Sequence, residues 1–237
     1  MIICPVFKGG SRGIPKNYRP VALTSLIVKM FERVVRKALV RHLEENNLLL
    51  NGQHGFRSLR SALTQLLVYW DGILNNLQDG GGVDSVYLYF SKAFDKVETG
   101  VLLHKFLALK FFGKVRCWLA SFLDTDCRKQ AIVVDGKLSE LSPVVLGVPK
   151  GTCLGPVLFL VHIADIADGT SPEASISSFA DDTQIRRGVK NPEVDCAALQ
   201  EDLAVVYRWA EEVPMKFNSD KFECLEVLAW KKPNTRH

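Results

Sequence analysis

The sequence of 237 residues lacks the features of a membrane or secreted protein. Its apolar stretch at 157–163 is far too short to cross a bilayer, which needs about 20 apolar residues. Residues 1–5 have no basic segment ahead of their apolar side chains and no small-residue cleavage site, so they do not resemble a signal peptide. We therefore expect an intracellular protein of the nucleus or cytoplasm, not secreted and without a membrane partner.

Paired cysteines, repeats and a strong charge bias are also missing. The six cysteines form no C-x-x-C pair and have no histidines at zinc-ligand spacing, which favours reduced thiols over a disulfide framework or a zinc site. No internal repeat or low-complexity tract is visible. The net charge of +4 permits a polyanionic partner without requiring one.

What is present indicates a globular protein. With 47% hydrophobic and 24% charged residues, the chain can form one large domain or two subdomains. Helical and strand patterns mix without βαβ regularity, which predicts an α+β fold. The predicted helices are 24–45 (with Thr24 or Ser25 as N-cap), 61–77, 100–109, 115–123, one from the 147–155 loop to about 165, and 193–212. The predicted strands are 2–7, the segment before Tyr89, the hairpin at 128–134 and 137 onward, the hairpin at 175–179 and 183–187, and 222–228.

Two adjacent acids, Asp181 and Asp182, lie at the tip of the second predicted hairpin. Paired acids in a turn are usually just solvated, because Asp favours turns. Here Ile176, Phe179 and Ile185 should bury the arms of the hairpin and leave its tip rigid, which metal chemistry requires. Strand-borne acids from two distant segments commonly hold a pair of Mg²⁺ ions for phosphoryl transfer.

Two loops are candidates for anion binding. The 147–155 loop has glycines four residues apart ahead of a helix, so it either brings backbone close to a ligand or forms a structural turn between prolines. The 8–19 loop carries Lys8, Arg12, Lys16 and Arg19, which could bind a triphosphate or form a solvated surface.

Six motifs occur in one order along the chain. Together they favour the functional interpretation of these segments over the structural one. They are N-Y-R-P-V-A-L-T-S at 17–25, Q-H-G-F-R at 53–57, F-S-K-A-F-D-K-V at 90–97, G-V-P-K-G-T-C-L-G-P-V-L-F at 147–159, F-A-D-D at 179–182 and M-K-F-N-S-D-K at 215–221. Over nearly its whole length the chain resembles the reverse transcriptase domain of non-LTR retrotransposons of the jockey/CR1 kind. Six ordered motifs make this resemblance highly specific.

The resemblance implies an RNA-directed DNA polymerase with a right-hand fold. A single domain is expected, with fingers at about 1–82 and 100–142, a palm at about 83–99 and 143–228, and a tail at 229–237. The thumb is expected to be largely missing, and the upstream endonuclease absent. The implied partners are an RNA template, a DNA primer and deoxynucleoside triphosphates, and the implied cofactor is a pair of Mg²⁺ ions, with Mn²⁺ as an alternative.

Site residues follow from the resemblance position by position. Asp181 corresponds to the motif C metal ligand, Asp182 lies beside it, and Lys221 stands at the motif D lysine, a proton donor to pyrophosphate. Phe94 stands where the family has the bulky residue under the sugar. The implied nucleotide-binding residues are Lys8, Arg19, Phe94, Lys150 and Gly151.

One departure matters most: Tyr89 stands where the family has the motif A aspartate. A phenol with a pKa of about 10 is neutral at pH 7 and cannot replace a carboxylate. Asp84 should lie on the opposite strand face, and Asp95 would be roughly 20 Å away in an extended chain. Loss of about 4 kcal/mol of transition-state stabilisation would slow polymerisation about a thousandfold. We therefore expect an impaired polymerase.

The sequence has two smaller departures from the family motifs, and it leaves other functions open. Lys150 replaces the family's Gln, and Glu98-Thr99 replaces its usual Pro-His. The alternatives are a non-catalytic nucleic-acid-binding remnant and a pseudogene product that does not fold stably. A metal-dependent nuclease could also use paired acids, but it would not need the ordered polymerase motifs.

Overall fold

The computed structural model describes residues 1–228, so the predicted tail at 229–237 lies outside the described residues. The chain forms two compact units. The first unit comprises Met1–Leu49 and Lys92–Ala164, and the second unit comprises Leu50–Ser91 and the chain from Asp165 onward. These bounds differ from the predicted fingers and palm bounds, which divide the chain by function and stay a prediction.

The first unit combines a small sheet with four main helices. Its strands are β1 (Ile2–Phe7), β2 (Tyr18–Leu23), β4 (Lys129–Val134), β5 (Lys137–Leu138) and β6 (Ser142–Pro143). Its helices are α1 (Leu26–Glu45), a single turn α3 (Ala93–Lys96), α4 (Thr99–Ala108), α5 (Gly113–Leu123) and α6 (Gly155–His162), with a 3₁₀ turn at Pro15–Asn17.

The strands of the first unit form one sheet, and its helices bury large apolar side chains. The strand order is β2-β1-β4-β5, with β6 also paired to β4, and β1 runs parallel to β4. Helix α1 begins at Ser25, whose hydroxyl accepts a hydrogen bond from the Val28 N–H at 3.3 Å. The helices bury large side chains such as Leu39, Phe106 and Phe159, which are inaccessible to water.

The second unit is an antiparallel sheet with two long helices. Its strands are β3 (Gly82–Leu88), β7 (Ser175–Phe179), β8 (Asp182–Val189) and β9 (Glu223–Val227). Its helices are α2 (Ala62–Gln78) and α7 (Pro192–Glu212), with a 3₁₀ turn at Ser219–Lys221. The strand order is β7-β8-β3-β9, and each neighbouring pair is antiparallel.

Helix α2 covers part of this sheet. A capping box starts the helix, because the Ser61 side chain accepts from the Thr64 N–H while the Thr64 hydroxyl accepts from the Ser61 N–H. Ile73 of α2 is fully buried and packs in one cluster with Tyr69 and Val83. At Gly80 the backbone turns through a positive φ of 78°, which allows the chain to leave α2 for β3.

Most predicted elements are confirmed. The single turn α3 and the two-residue strand β6 were not predicted, and two larger differences concern β2 and α6. Strand β2 was not predicted, because Pro20 argues against a strand interior. In the structure it pairs with β1 so that Pro20 opposes Pro5, a pairing in which neither missing N–H removes a ladder hydrogen bond. The predicted helix that was to run to about residue 165 is also shorter, and ends at His162.

Two further expectations can be compared with residues 1–228. All six cysteines, which lie in this part of the chain, are free thiols. Throughout these described residues, no helix has the length and apolar character that a bilayer crossing requires.

We predict that Ser61→Ala lowers the free energy of unfolding by about 1 kcal/mol, because the Thr64 N–H in the first turn of α2 loses its hydrogen-bond partner. Urea denaturation followed by circular dichroism measures this change, with Ser58→Ala in the exposed loop before α2 as control. A native chain without a cooperative transition would instead support the unstable-product alternative.

Candidate active site

The β7–β8 hairpin presents the paired acids at its tip. The last strand pair is Phe179 with Asp182, so Ala180 and Asp181 form a two-residue turn. Atoms packed around this tip remove water from the Asp182 carboxylate and raise its pKa, and the neighbouring charge of Asp181 raises it further. The positive charge of Lys221 acts in the opposite direction.

Tyr89 lies beside these acids because of the register between β3 and β8. The last pair of that ladder is Leu88 with Thr183, and the next residue on each strand is Tyr89 and Asp182. Burial raises the pKa of Tyr89, and the negative charges of Glu223 and Asp182 add to the effect. The phenol therefore stays protonated and uncharged at neutral pH.

The 215–221 segment completes this side of the second unit. The Asn218 N–H donates to the Tyr89 carbonyl at 2.7 Å, and the Phe217 ring stacks on Phe90 with centroids 4.6 Å apart. Lys221 follows in the 3₁₀ turn, and its ammonium lies 5.9 Å from the centre of the Tyr89 ring, within the range of a cation–π contact. The structure thus brings Tyr89, Asp182 and Lys221 together.

Asp84 and Asp95, the acids nearest to Tyr89 in the sequence, both pair with other side chains. Asp84 lies five residues before Tyr89 on β3, about 16 Å along the strand, and accepts a hydrogen bond from the Cys196 thiol. Asp95 belongs to the first unit, where its carboxylate accepts a hydrogen bond from the Lys150 ammonium at 2.7 Å.

The donor set at the hairpin tip does not fit a pair of Mg²⁺ ions. Mg²⁺ prefers anionic oxygen ligands in octahedral geometry. The tip offers the carboxylates of Asp181 and Asp182, a neutral phenol at Tyr89 and the competing cation of Lys221. Among residues 1–228, no group of three or more His, Cys, Asp or Glu side chains is arranged to hold a metal ion.

The first unit contains a basic cleft of about 730 Å³. Most of its charged lining residues are cations, and the acid is paired with one of them. These residues are Lys8, Arg12, Lys16, Lys92, Lys150 and Asp95. A cleft with this charge suits a polyanion such as a triphosphate.

The cleft includes some predicted nucleotide-binding residues and excludes others. Lys8 and Lys150 line it, whereas Arg19 does not line this cleft in the described chain. Arg19 follows Tyr18 and precedes Pro20, both of which do line the cleft, so strand alternation directs Arg19 to the other face of β2. Lys92 also lines the cleft, in a left-handed conformation (φ 56°). The only signal for it in the sequence is its place in the F-S-K-A-F-D motif.

Phe94 is held by ring stacking in the first unit. Its ring lies 4.4 Å from that of Phe159 on α6, with an angle of 16° between the two planes. Phe159 is fully buried, so it provides a rigid base for the half-buried Phe94 ring.

The glycine loop at 147–155 is shaped by contacts with the protein itself. Gly151 has a φ of +94°, and a Cβ there would lie 2.8 Å from the carbonyl oxygen of Ala22. The Lys150 carbonyl accepts a hydrogen bond from the Ala22 N–H at 2.6 Å. These contacts support the structural-turn interpretation of the glycines and fix the backbone that carries Lys150.

Glu32, which no sequence motif had indicated, holds the far end of this loop. Its side chain is 1% exposed and accepts hydrogen bonds from the N–H groups of Cys153 and Leu154 at 2.6 and 3.3 Å. A buried carboxylate that binds backbone N–H groups ahead of α6 stabilises the loop in one position. Its distance of 121 residues from Cys153 left no local signal in the sequence.

Comparisons of sequence reveal relatives over most of the chain. The profile of the family described as reverse transcriptase (RNA-dependent DNA polymerase) matches residues 7–233. The chain is 28% identical over 211 residues to the RNA-directed DNA polymerase from mobile element jockey of Drosophila melanogaster, and 26% identical over 216 residues to the probable RNA-directed DNA polymerase from transposon BS of the same species. These alignments cover 86% and 87% of this chain but 23% of each relative, so the chain spans less than a quarter of their length.

Comparisons of structure agree on the fold. The telomerase of Candida albicans, solved with a fragment of telomeric RNA, has a TM-score of 0.61 at 11% identity and covers 93% of this chain and 40% of that one. The apo telomerase of Candida tropicalis, truncated from its C-terminal domain, gives 0.60 at 8% identity, with 91% and 49% covered. At identities this low, the structural similarity shows the fold alone. It confirms the predicted α+β right-hand polymerase class.

We predict that Asp182→Asn increases stability at pH 7. The pKa of Asp182 is raised in the folded chain, so its ionised form opposes folding above the pKa of the unfolded chain, and this penalty disappears at low pH where both states are protonated. The urea midpoint should rise at pH 7 and the difference should vanish below about pH 4. Asp220→Asn, in the neighbouring 3₁₀ turn, is the control, and an unchanged midpoint for Asp182→Asn at pH 7 would contradict the prediction.

Proposed function

This chain belongs to the reverse transcriptase (RNA-dependent DNA polymerase) family, and from that premise we propose that it is an RNA-directed DNA polymerase domain of a mobile element whose nucleotidyl-transfer site is impaired at Tyr89. An intact site would take an RNA template, a DNA primer and deoxynucleoside triphosphates. It would also take two Mg²⁺ ions, or Mn²⁺ in their place, which would activate the primer 3′-OH and neutralise charge on the phosphates. The sequence match to polymerases of mobile elements supports the first part of this proposal.

The observation that carries the second part is the position of Tyr89 directly beside Asp182. A carboxylate at this point of the ladder would face the acids of the hairpin from the neighbouring strand. The phenol offers no negative charge there, and its ring borders the Lys221 ammonium instead. Impairment therefore follows from one side chain, while the strands that present the site keep their pairing.

The remaining residues have roles that follow from their chemistry. The cations of the basic cleft, Lys8 and Lys150 among them, would bind the triphosphate of an incoming nucleotide. Phe94, supported by Phe159, would limit the space beneath the sugar. Lys221 would donate a proton to the leaving pyrophosphate.

We predict that the native chain extends a DNA primer on an RNA template at a rate near background, and that Tyr89→Asp raises the rate by about a thousandfold. The factor corresponds to about 4 kcal/mol of transition-state stabilisation regained when the second strand again contributes a carboxylate. Single-turnover primer extension with Mg²⁺ measures the rates of the two chains side by side.

Two controls accompany this experiment. Tyr89→Asn has a similar size to Tyr89→Asp without the charge and should stay inactive, and Asp181→Asn in the Tyr89→Asp chain should abolish the regained activity. Robust extension by the native chain would refute the impairment, and an inactive but folded Tyr89→Asp chain would show that another defect limits catalysis.

A second candidate function is nucleic-acid binding without catalysis, which the basic cleft favours because its cations do not depend on Tyr89. We predict that the native chain binds a primer–template duplex with a binding constant whose logarithm falls linearly with the logarithm of salt concentration. We expect Lys16→Ala to lower the slope of this line by about 1, because one phosphate contact is lost. Fluorescence anisotropy measures both, with Lys37→Ala as a control of equal charge outside the cleft. Binding without incorporation, in the Tyr89→Asp chain as well, would favour this function over polymerisation.

A further inference from the structure

Gln53 makes three hydrogen bonds near the tip of the acidic hairpin. Its side chain is 1% exposed. Its amide oxygen accepts from the N–H groups of Gly55 at 2.7 Å and Ala180 at 2.9 Å, and its amide nitrogen donates to the Ala180 carbonyl at 3.1 Å. Gln53 therefore binds both backbone groups of the residue that precedes Asp181.

The segment around Gln53 follows the neighbouring strand β7. The Ser178 N–H donates to the Gly52 carbonyl at 2.9 Å, and the His54 N–H donates to the Ser178 carbonyl at 2.8 Å. A Cβ on Gly52 would lie 1.9 Å from the Ile176 carbonyl oxygen, and one on Gly55 would lie 2.3 Å from the Ala180 nitrogen. Both glycines are thus required for this close approach.

The bonds of Gln53 act at the one residue of the turn that adopts an unfavourable conformation. Ala180 has a φ of 57°, in the left-handed region that residues with a Cβ avoid. A two-residue hairpin turn needs such a conformation, and Gly or Asn usually provides it. Here the Gln53 side-chain amide binds the N–H and C=O of Ala180. These hydrogen bonds stabilise a turn conformation that usually requires glycine or asparagine.

We propose that Gln53 is a positioning residue of the active site. Gln53 holds Ala180 in its left-handed conformation and thereby sets the direction in which the Asp181 side chain projects from the hairpin tip. The inference deepens the proposed function and rests on it, because it assumes that Asp181 is a ligand in the polymerase site. A change at Gln53 leaves the charges of both acids in place and alters only their geometry, which metal binding requires within a fraction of an ångström.

Amide hydrogen exchange tests the positioning directly. Gln53→Met keeps the length of the side chain and removes all three hydrogen bonds. We expect the Ala180 and Asp181 amides to exchange at least about tenfold faster, while Ile176 and Ile185 in the paired strands keep their rates. The control is Tyr69→Phe, which removes the buried hydrogen bond from the Tyr69 hydroxyl to Ser85 elsewhere in the second unit. It should not accelerate exchange at the tip.

Two outcomes of the exchange experiment overturn the proposal. One is an unchanged rate at Ala180 in the Gln53→Met chain. The other is an equal acceleration of all hairpin amides, because that pattern describes a general loss of stability and not a local effect at the tip.

Metal affinity provides the second readout, and it does not depend on polymerisation. In the Tyr89→Asp chain, calorimetric titration with Mn²⁺ should show binding that Gln53→Met weakens about tenfold. Equal affinities with and without Gln53→Met would overturn the positioning role. If the Tyr89→Asp chain itself bound no Mn²⁺, the metal site of the proposed function would fail, and the exchange rates would still decide whether Gln53 positions the tip.

Discussion

The antiparallel pairing of β3 with β8 is the constraint on which the second unit depends. Its pairs run from Gly82–Val189 to Leu88–Thr183, and they place Val83, Leu88 and Ile185 in the core. Side chains alternate along a strand, so a slip of one residue would turn each of these side chains to the opposite face of the sheet. The buried residues therefore fix the register, and the register brings Tyr89 beside Asp182.

Each compact unit supports its candidate site with a buried polar residue from a distant part of the chain. Gln53 binds the backbone of the hairpin tip in the second unit, and Glu32 binds the backbone N–H groups ahead of α6 in the first. Neither side chain needs to contact a substrate for these effects. Loops that carry charged residues are hard to keep in one position, because water competes for every backbone group, and buried amide or carboxylate partners remove that competition.

Much of the fold was predictable because local signals agreed with the tertiary structure. The N-cap Ser25, the helical spacing of apolar residues and the glycines after α2 each indicate an element that the structure contains. Strand β2 was missed because Pro20 argues against a strand, and its position in a pair that exchanges no backbone hydrogen bonds, on the edge strand, is known only from the structure. The face of β2 on which Arg19 lies could be assigned only once the segment was known to be a strand, and its role in nucleotide binding stays a prediction.

The sequence by itself determined the family, the order of its motifs and the replacement of a carboxylate by Tyr89, because these are properties of residue identity and spacing. The tertiary structure alone decided which residues meet. It pairs Lys150 with Asp95, adds Lys92 to the basic cleft and brings Gln53 to Ala180 across 127 residues of chain. Such contacts depend on strand register and on the burial of polar groups that must find partners, and neither leaves a periodic signal in a local stretch of sequence.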